Sequence, residues 1–525
     1  MTVVSPTLRL PASFGRPAQL PGAAALRLVG AVVIARPAGL SLAVLLTLAV
    51  AMRLPVLAGG QIDYDEGVYW QSLRAMAAGH PLFTSAYSSQ PPAFLLLLFP
   101  AHLLLGGSIQ ADRATMVAFS VVGMIAAHQI GTLLESRWTG LAAASVLAVD
   151  PLSFRESVTL QADGPAIALA LASVALAAAC RHRDDRAGAL LAAAAGLTFA
   201  TGLLVKPLTA PALPALAILL VSPNSGRRRL FQLGAAAAGG GVAACGFLLP
   251  FADRVPQLLD QLVGFHARAR GIGLGGLDAP TVLTELPLAA LALAGVAVGL
   301  RRQPLLMLVG GAWAVSAALS LALQRPLWPH HALVLVAPLA LLGAGAGHLV
   351  RGAPSRLRTC LVPLLTALVA STLWVHAQQT SDGSRSRAVW AVRRVTEPNQ
   401  FVITDDQYTV GLANRSTPPE LVDTSKVRVL SGDLTLDQLD AIASRPDVCA
   451  VLVDDHYVSL SLLPGFRDWL DRRFPVARPV GQGRVLYLRT PPAARLLSGS
   501  KRGRPAATRT RQSEPSTLVG QLLEA

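Results

Sequence analysis

Three carboxylates fall within four residues in Asp63-Tyr64-Asp65-Glu66, directly after the first long apolar run of the chain. A membrane helix meeting water is ordinarily flanked by Trp, Tyr, Lys or Arg, not by an acidic cluster. Alone, such a stretch is more often a solvated loop than a catalytic one. Further along, polar groups recur between apolar runs: Arg155, Glu156 and Asp163; Lys206; His266, Arg268 and Arg270; and Arg325, His330 and His331. Taken singly, each has an ordinary reading. Lys206, before Pro207, can snorkel from a helix end; Arg155-Glu156 can be a local ion pair; His330-His331 can be an interfacial pair beside Trp328. Ionisable groups at membrane depth are costly and by default suggest function. Acids from two loops and bases from several, gathered on one face, suit sugar transfer from a lipid phosphate. A carboxylate takes the proton of an attacking hydroxyl, and Lys, Arg and His neutralise the departing phosphate.

The elements that must position these groups are apolar helices. The chain has 525 residues, 52% of them hydrophobic and only 14% charged, with a mean hydropathy of +0.50. A soluble chain would be nearer a quarter charged, so this is an α-helical multi-pass membrane protein. Its net charge of +15 is spread over short loops, which fits lipid headgroups and topology control, not nucleic acid. Lys206, Lys426 and Lys501 are the only lysines. The four cysteines are scattered, which predicts neither a disulfide framework nor a cysteine metal site.

Twelve apolar runs are legible, at 38–58, 92–106, 114–134, 139–153, 164–181, 187–205, 207–221, 230–250, 284–300, 304–323, 332–350 and 359–376. The basic segments at 181–186, 227–229, 301–302 and 351–358 are each two spans apart, so all can be cytoplasmic, as can the basic tail of residues 1–37. Parity then requires one early run not to cross. The run 92–106, short, opened by Pro91-Pro92 and holding Pro100 and His102, is predicted to lie along the outer interface. That leaves about eleven spans within residues 38–376. The N-terminus is cytoplasmic and everything after 376 lies outside the plasma membrane. Residues 384–490 alternate strand-like runs (401–404, 450–453, 484–488) with helical ones, including a helix capped by Thr435 and another over 466–473. This predicts a small extracytoplasmic α/β domain. The Arg-, Ser- and Pro-rich tail 491–525 is expected to be disordered.

Several features together resemble the GT-C superfamily of integral-membrane glycosyltransferases, and within it the family-39 group of protein O-mannosyltransferases and aminoarabinose transferases. They are the Asp65-Glu66 pair, Pro91-Pro92 opening an interfacial helix, Arg113 before the next span, Pro151…Arg155-Glu156-Ser157…Asp163-Gly164, and Leu204-Val205-Lys206-Pro207. The resemblance covers the membrane part to about residue 350. It implies Asp65 as the principal catalytic carboxylate with Glu66 beside it, Asp163 as a second acid, and Lys206 on the lipid phosphate. Arg155, His330 and His331 are further candidates for the donor phosphate; Asp63, Arg113, Gln90 and His266 complete the candidate set. Gln90 departs from the pattern, since relatives often carry a basic residue before the Pro-Pro. A polyprenyl-phosphate sugar is the implied donor and an acceptor on protein, lipid or polysaccharide its partner; a divalent metal is left open. Two other classes compete: a transporter or lipid flippase, and a structural membrane protein whose outer domain binds cell-wall polymer. The transporter would place charges at mid-span and show internal symmetry, neither of which is visible.

Overall fold

The computed structural model describes residues 37–489 except 62, 184, 222–225, 347–382 and 482. The N-terminal tail to residue 36, the basic segment 351–358, the run 359–376 and the tail 491–525 therefore lie outside the described residues. Seven helices among the described residues are long and apolar enough to cross a membrane, and four shorter apolar helices accompany them. The chain is a multi-pass helical membrane protein with a small C-terminal sheet domain.

The membrane-part helices of seven or more residues are α1 (Pro37–Arg53), α2 (Tyr64–Ala77), α3 (Ala93–Leu104), α4 (Ile109–Leu134), α5 (Arg137–Val149), α6 (Pro151–Ser157), α7 (Asp163–Arg181), α8 (Arg186–Val205), α9 (Leu213–Val221), α10 (Gly226–Leu248), α11 (Ala279–Gly299), α12 (Pro304–Leu323) and α13 (Leu333–Ala344). Their starts follow the sequence chemistry: Ser108, Ser136, Asp150 and Asp185 each accept a backbone N–H of the first turn, satisfying donors with no partner inside the helix. Helices α4, α5, α7, α8, α9, α12 and α13 share one alanine- and leucine-rich core with Trp313 fully buried in it. Between α8 and α10 the backbones nearly touch. A Cβ on Gly196 would lie 1.9 Å from the Ala236 carbonyl, the small-residue contact by which helices associate in lipid. The helix α3 is 12 residues long, about 18 Å at 1.5 Å per residue, well short of a hydrocarbon core of about 30 Å. It buries Phe94, Leu95 and Leu98, with the Phe94 ring 4.8 Å from that of Tyr69 on α2.

In the C-terminal domain, α14 (Gly383–Val395), β1 (Phe401–Thr404), α15 (Gln407–Leu412), α16 (Lys426–Leu430), α17 (Leu436–Ala443), β2 (Val448–Asp454), α18 (Phe466–Arg473), β3 (Val476–Gly481) and β4 (Arg484–Leu488) follow in order. The sheet runs β1-β2-β4-β3, with β1 parallel to β2 and the other pairs antiparallel. Alternate residues feed opposite faces: Val451 and Val453 pack with Leu439, Trp469 and Phe474, whereas Ala450 and Leu452 pack with Ala388, Val392 and Val410. Helices therefore cover both faces. Thr435 caps α17 in a reciprocal box with Gln438. The three sequence-predicted strands and both helices are present; β3 is additional. It pairs only with β4 and carries Pro479, as an edge strand can.

Candidate active site

Helix α2 begins at Tyr64 because Asp63 caps it, its Oδ1 accepting the Asp65 N–H at 3.1 Å. Successive residues on a helix point about 100° apart, and here that separates two adjacent carboxylates completely. Glu66 is fully buried. Its oxygens accept from Arg113 Nε at 2.6 Å, Arg113 Nη2 at 2.7 Å and the Leu160 N–H at 3.0 Å. The same guanidinium donates to the carbonyls of Leu57, Gly59 and Gly60. Glu66 and Arg113, both expected in the reacting set, thus tie the end of α1 to α2, α4 and the loop before α7. Neither lines the cavity, and their chemistry is already complete.

Asp65 faces the other way, into a cavity of about 860 Å³ between the membrane helices and the C-terminal domain. Its carboxylate has no hydrogen-bond or ion-pair partner among the described residues. Asp63, Gln90, His266, His330 and His331 line the same cavity. Asp63 Oδ2 lies 3.4 Å from Arg155 Nη2 and 3.4 Å from His330 Nδ1. Burial pushes Asp63 upward, but His330, the Asp65 N–H and Arg155 prevail and hold it at about 2. Asp65 has burial and the Asp63 charge against it, and only partial relief from His330 and Lys206, so it rises to about 7. Two carboxyls two residues apart therefore differ in protonation around neutral pH. Glu156 is buried and its oxygens lack hydrogen-bond partners, although Oε1 lies 3.8 Å from Arg155 Nε; burial raises it to about 8.

Asp163 and Lys206, predicted as second acid and phosphate ligand, are bound to each other. Lys206 Nζ donates to Asp163 Oδ2 at 2.5 Å, and both are buried. Asp163 opens α7 and Lys206 terminates α8, so the pair staples two helix ends. His330 and His331 adjoin it: one atom from each histidine and one from Asp163 lie within 4.8 Å of one another. This trio would suit a divalent cation by residue type, but the hydrogen bonds disagree. His331 Nδ1 accepts the Trp328 N–H at 3.1 Å, which leaves the proton of a neutral imidazole on Nε2. Burial and the charges of Lys206 and His330 do keep His331 neutral. It can therefore donate a hydrogen bond into the site but has no lone pair to ligate a metal. With Lys206 already on Asp163, the residues do not fit a metal ion and fit an anion. His330, raised to about 9 because Asp163 and Asp63 outweigh its burial, supplies a cation beside that donor.

Sequence reasoning missed the far wall. Arg385, Asp423, Ser425, Lys426, Asp454, His456, Tyr457 and Arg484 of the C-terminal domain line the cavity. The domain also grips α2. Gln71 Nε2 donates to the Gln407 and Arg415 carbonyls at 3.1 and 3.3 Å. Tyr64 Oη accepts from Gln407 Nε2 at 3.2 Å and from the Thr424 N–H at 3.3 Å. A Cβ on Gly67 would sit 2.7 Å from the Tyr408 nitrogen, and one on Gly411 2.5 Å from the Trp70 ring, so glycine at both positions allows α2 and α15 to touch. Lys426, one of three lysines in an arginine-dominated chain, was the available signal.

Comparison with known proteins places this architecture. A family profile described as dolichyl-phosphate-mannose-protein mannosyltransferase matches residues 89–251, less than half of the chain. No curated protein sequence matches. The structure resembles ArnT from Cupriavidus metallidurans bound to undecaprenyl phosphate, with a TM-score of 0.62 at 13% identity over 85% of this chain and 97% of that one. It resembles the apo form of that protein with a TM-score of 0.60 at 12% identity and the same coverage. AglB from Archaeoglobus fulgidus, in complex with an inhibitory peptide and a dolichol-phosphate, aligns at 12% identity over 86% of this chain and 74% of that one. Its TM-score is only 0.48, too low to add weight. The chain has the fold of the GT-C superfamily of integral-membrane glycosyltransferases, as the sequence resemblance implied.

Proposed function

We propose that this protein transfers a sugar from a polyprenyl-phosphate-linked donor to an acceptor hydroxyl at the outer face of the plasma membrane. The observation that carries the reading is the unpartnered Asp65 carboxylate, raised to about 7, in a cavity that also holds a cationic and a neutral hydrogen-donating histidine. Asp65 takes the acceptor proton as the oxygen attacks the anomeric carbon. The carbon–oxygen bond to phosphate breaks on the opposite side, so configuration inverts. His330 and the Nε2–H of His331 meet the charge developing on the departing phosphate, while Lys206 positions Asp163 and adds a compact positive charge behind them. The undecaprenyl phosphate held by the Cupriavidus ArnT supports a lipid-linked donor, as does the dolichyl-phosphate-mannose description of the matching profile. An outward-facing C-terminal domain belongs to the same proposal.

The test is an assay of membranes with polyprenyl-phosphate-linked radiolabelled sugars against an acceptor panel. Label passing from lipid to acceptor in the wild type and not in Asp65→Asn supports the reading. Label that crosses the bilayer still attached to lipid, with no acceptor modified, would instead identify a flippase.

A further inference from the structure

We infer that the acceptor is an anionic saccharide whose phosphate or carboxylate is held by Arg385 and Lys426 of the C-terminal domain. The inference rests on the transferase reading and adds the substrate class.

Both side chains line the cavity that contains Asp65, and neither has a carboxylate partner among the described residues. The other charges on that wall are satisfied within the domain. Arg484 Nε lies 3.0 Å from Asp406 and 2.9 Å from Asp454, and Asp423 accepts the Ser425 N–H at 2.8 Å. Arg385 is the exception: its Nε is buried without an acceptor, while its guanidinium lies over the Tyr408 ring, 5.2 Å from the centroid. A partly buried cation left without a counter-charge is costly, and an incoming anion removes that cost. Lys426 belongs to a chain that uses lysine at only three positions, one of which is the Lys206 paired with Asp163 in the same region. A compact ammonium suits an anion approached from changing directions.

The donor's phosphate does not account for these two cations. Its lipid tail must remain among the membrane helices, where His330, His331 and Lys206 stand. Arg385 and Lys426 come instead from the C-terminal domain's share of the lining, and an anion held by that domain fits the other substrate. The wall around them is polar, with Ser425, His456 and Tyr457, which suits hydroxyl groups better than an acyl chain or an apolar peptide. A cavity of about 860 Å³ holds a ligand of several sugar units or a sugar headgroup. The anionic saccharide has two sources, a free glycan or the headgroup of a glycolipid, and both present the same chemistry here.

The experiment uses the full chain in lipid nanodiscs with a radiolabelled polyprenyl-phosphate sugar. Two readouts run in parallel: release of sugar to water without acceptor, and transfer to matched oligosaccharides with and without a phosphate or uronic carboxylate, each offered free and lipid-linked. Lys426→Gln and Arg385→Gln are expected to raise the KM for charged acceptors about tenfold, the scale of one charge-assisted hydrogen bond. The donor KM and the rate of sugar release should not move. Lys426 is half-buried and its side chain makes no hydrogen bond or ion pair among the described residues, so its variant keeps the test open if Arg385→Gln unfolds. A raised donor KM would assign the cations to the donor phosphate and overturn the inference, as would equal KM changes on charged and neutral acceptors, or none. Absence of both sugar release and transfer in the wild type would sink the transferase reading itself.

Discussion

Replacing Glu66 by glutamine should damage the fold, whereas replacing its neighbour Asp65 by asparagine should damage only the chemistry. Arg113 carries five N–H donors. It directs Nε to Glu66 Oε1 at 2.6 Å and an Nη2 hydrogen to Oε2 at 2.7 Å, with backbone carbonyls taking the others. Both partners are fully buried. A glutamine amide would keep the shape but turn one acceptor into a donor facing the guanidinium, and the buried positive charge would lose its counter-charge. Removing one partner of a buried pair costs about 3–5 kcal/mol, or about two to four orders of magnitude in the ratio of folded to unfolded protein. The measurement is denaturant unfolding of the detergent-solubilised protein followed by tryptophan fluorescence, beside single-turnover transfer normalised to folded protein. Glu66→Gln should unfold at markedly lower denaturant and, where folded, retain much of its rate. Asp65→Asn should unfold like wild type, because its carboxylate holds nothing together. A Glu66→Gln protein of wild-type stability but no activity would refute the division of labour between the two acids.

Asp65→Asn is expected to lower the single-turnover rate by about 10²- to 10⁴-fold, the usual loss of a general base. With Asp65 raised to about 7, the base is ionised only above that value. The wild-type rate should therefore climb about tenfold per pH unit below 7 and level off above it; a flat profile from about pH 5 to 8 would count against Asp65. Gly67→Ala, whose Cβ would meet the Tyr408 backbone at 2.7 Å, should lower turnover by disturbing the seat of α2, and undiminished turnover would show that the grip is dispensable. A single cysteine at position 420, on the domain, should be labelled from outside intact cells; labelling only after permeabilisation would reverse the proposed orientation.

Much of this architecture is legible in the amino-acid order, because each helix is long, apolar and bounded by polar loops, and because the strands at 401, 450 and 484 alternate faces. The acid and base loops are legible for the same reason: charge is rare here, so every charged loop is conspicuous. Hydrogen-bond identity is not legible. Asp65 and Glu66 are equal in sequence, and only the position of Arg113, 47 residues beyond Glu66, shows that one of them is spoken for. Likewise nothing in the order of the residues shows that Asp163 holds Lys206 at 2.5 Å, or that the Trp328 N–H fixes the tautomer of His331. The far wall of the cavity is hidden for a different reason. The contacts of Tyr64 and Gln71 with residues 407–424 link positions 343 and 336 residues apart, and no local pattern announces them.

The separation of Asp63 from Asp65 is itself testable. Acid and base roles emerge where environments drive neighbouring titrations apart, and here one carboxyl sits at about 2 and the other at about 7. Burial is the larger cause for Asp65 and the Asp63 charge the next; His330 opposes both. Asp63→Asn removes the negative neighbour, and Asn caps a helix about as well as Asp, so α2 should keep its start. The variant also frees the charge of His330 from its carboxylate at 3.4 Å, leaving it to act on Asp65 while it stays protonated. Both changes favour the ionised form of Asp65 and lower its pKa. The acid limb of the pH–rate profile should therefore move below the wild-type value of about 7, with activity retained at more acidic pH. Burial remains, so the limb should stay above the ordinary carboxylate range. An acid limb that does not move, or that moves toward alkaline pH, would show that the titrating base is not Asp65 held up by Asp63.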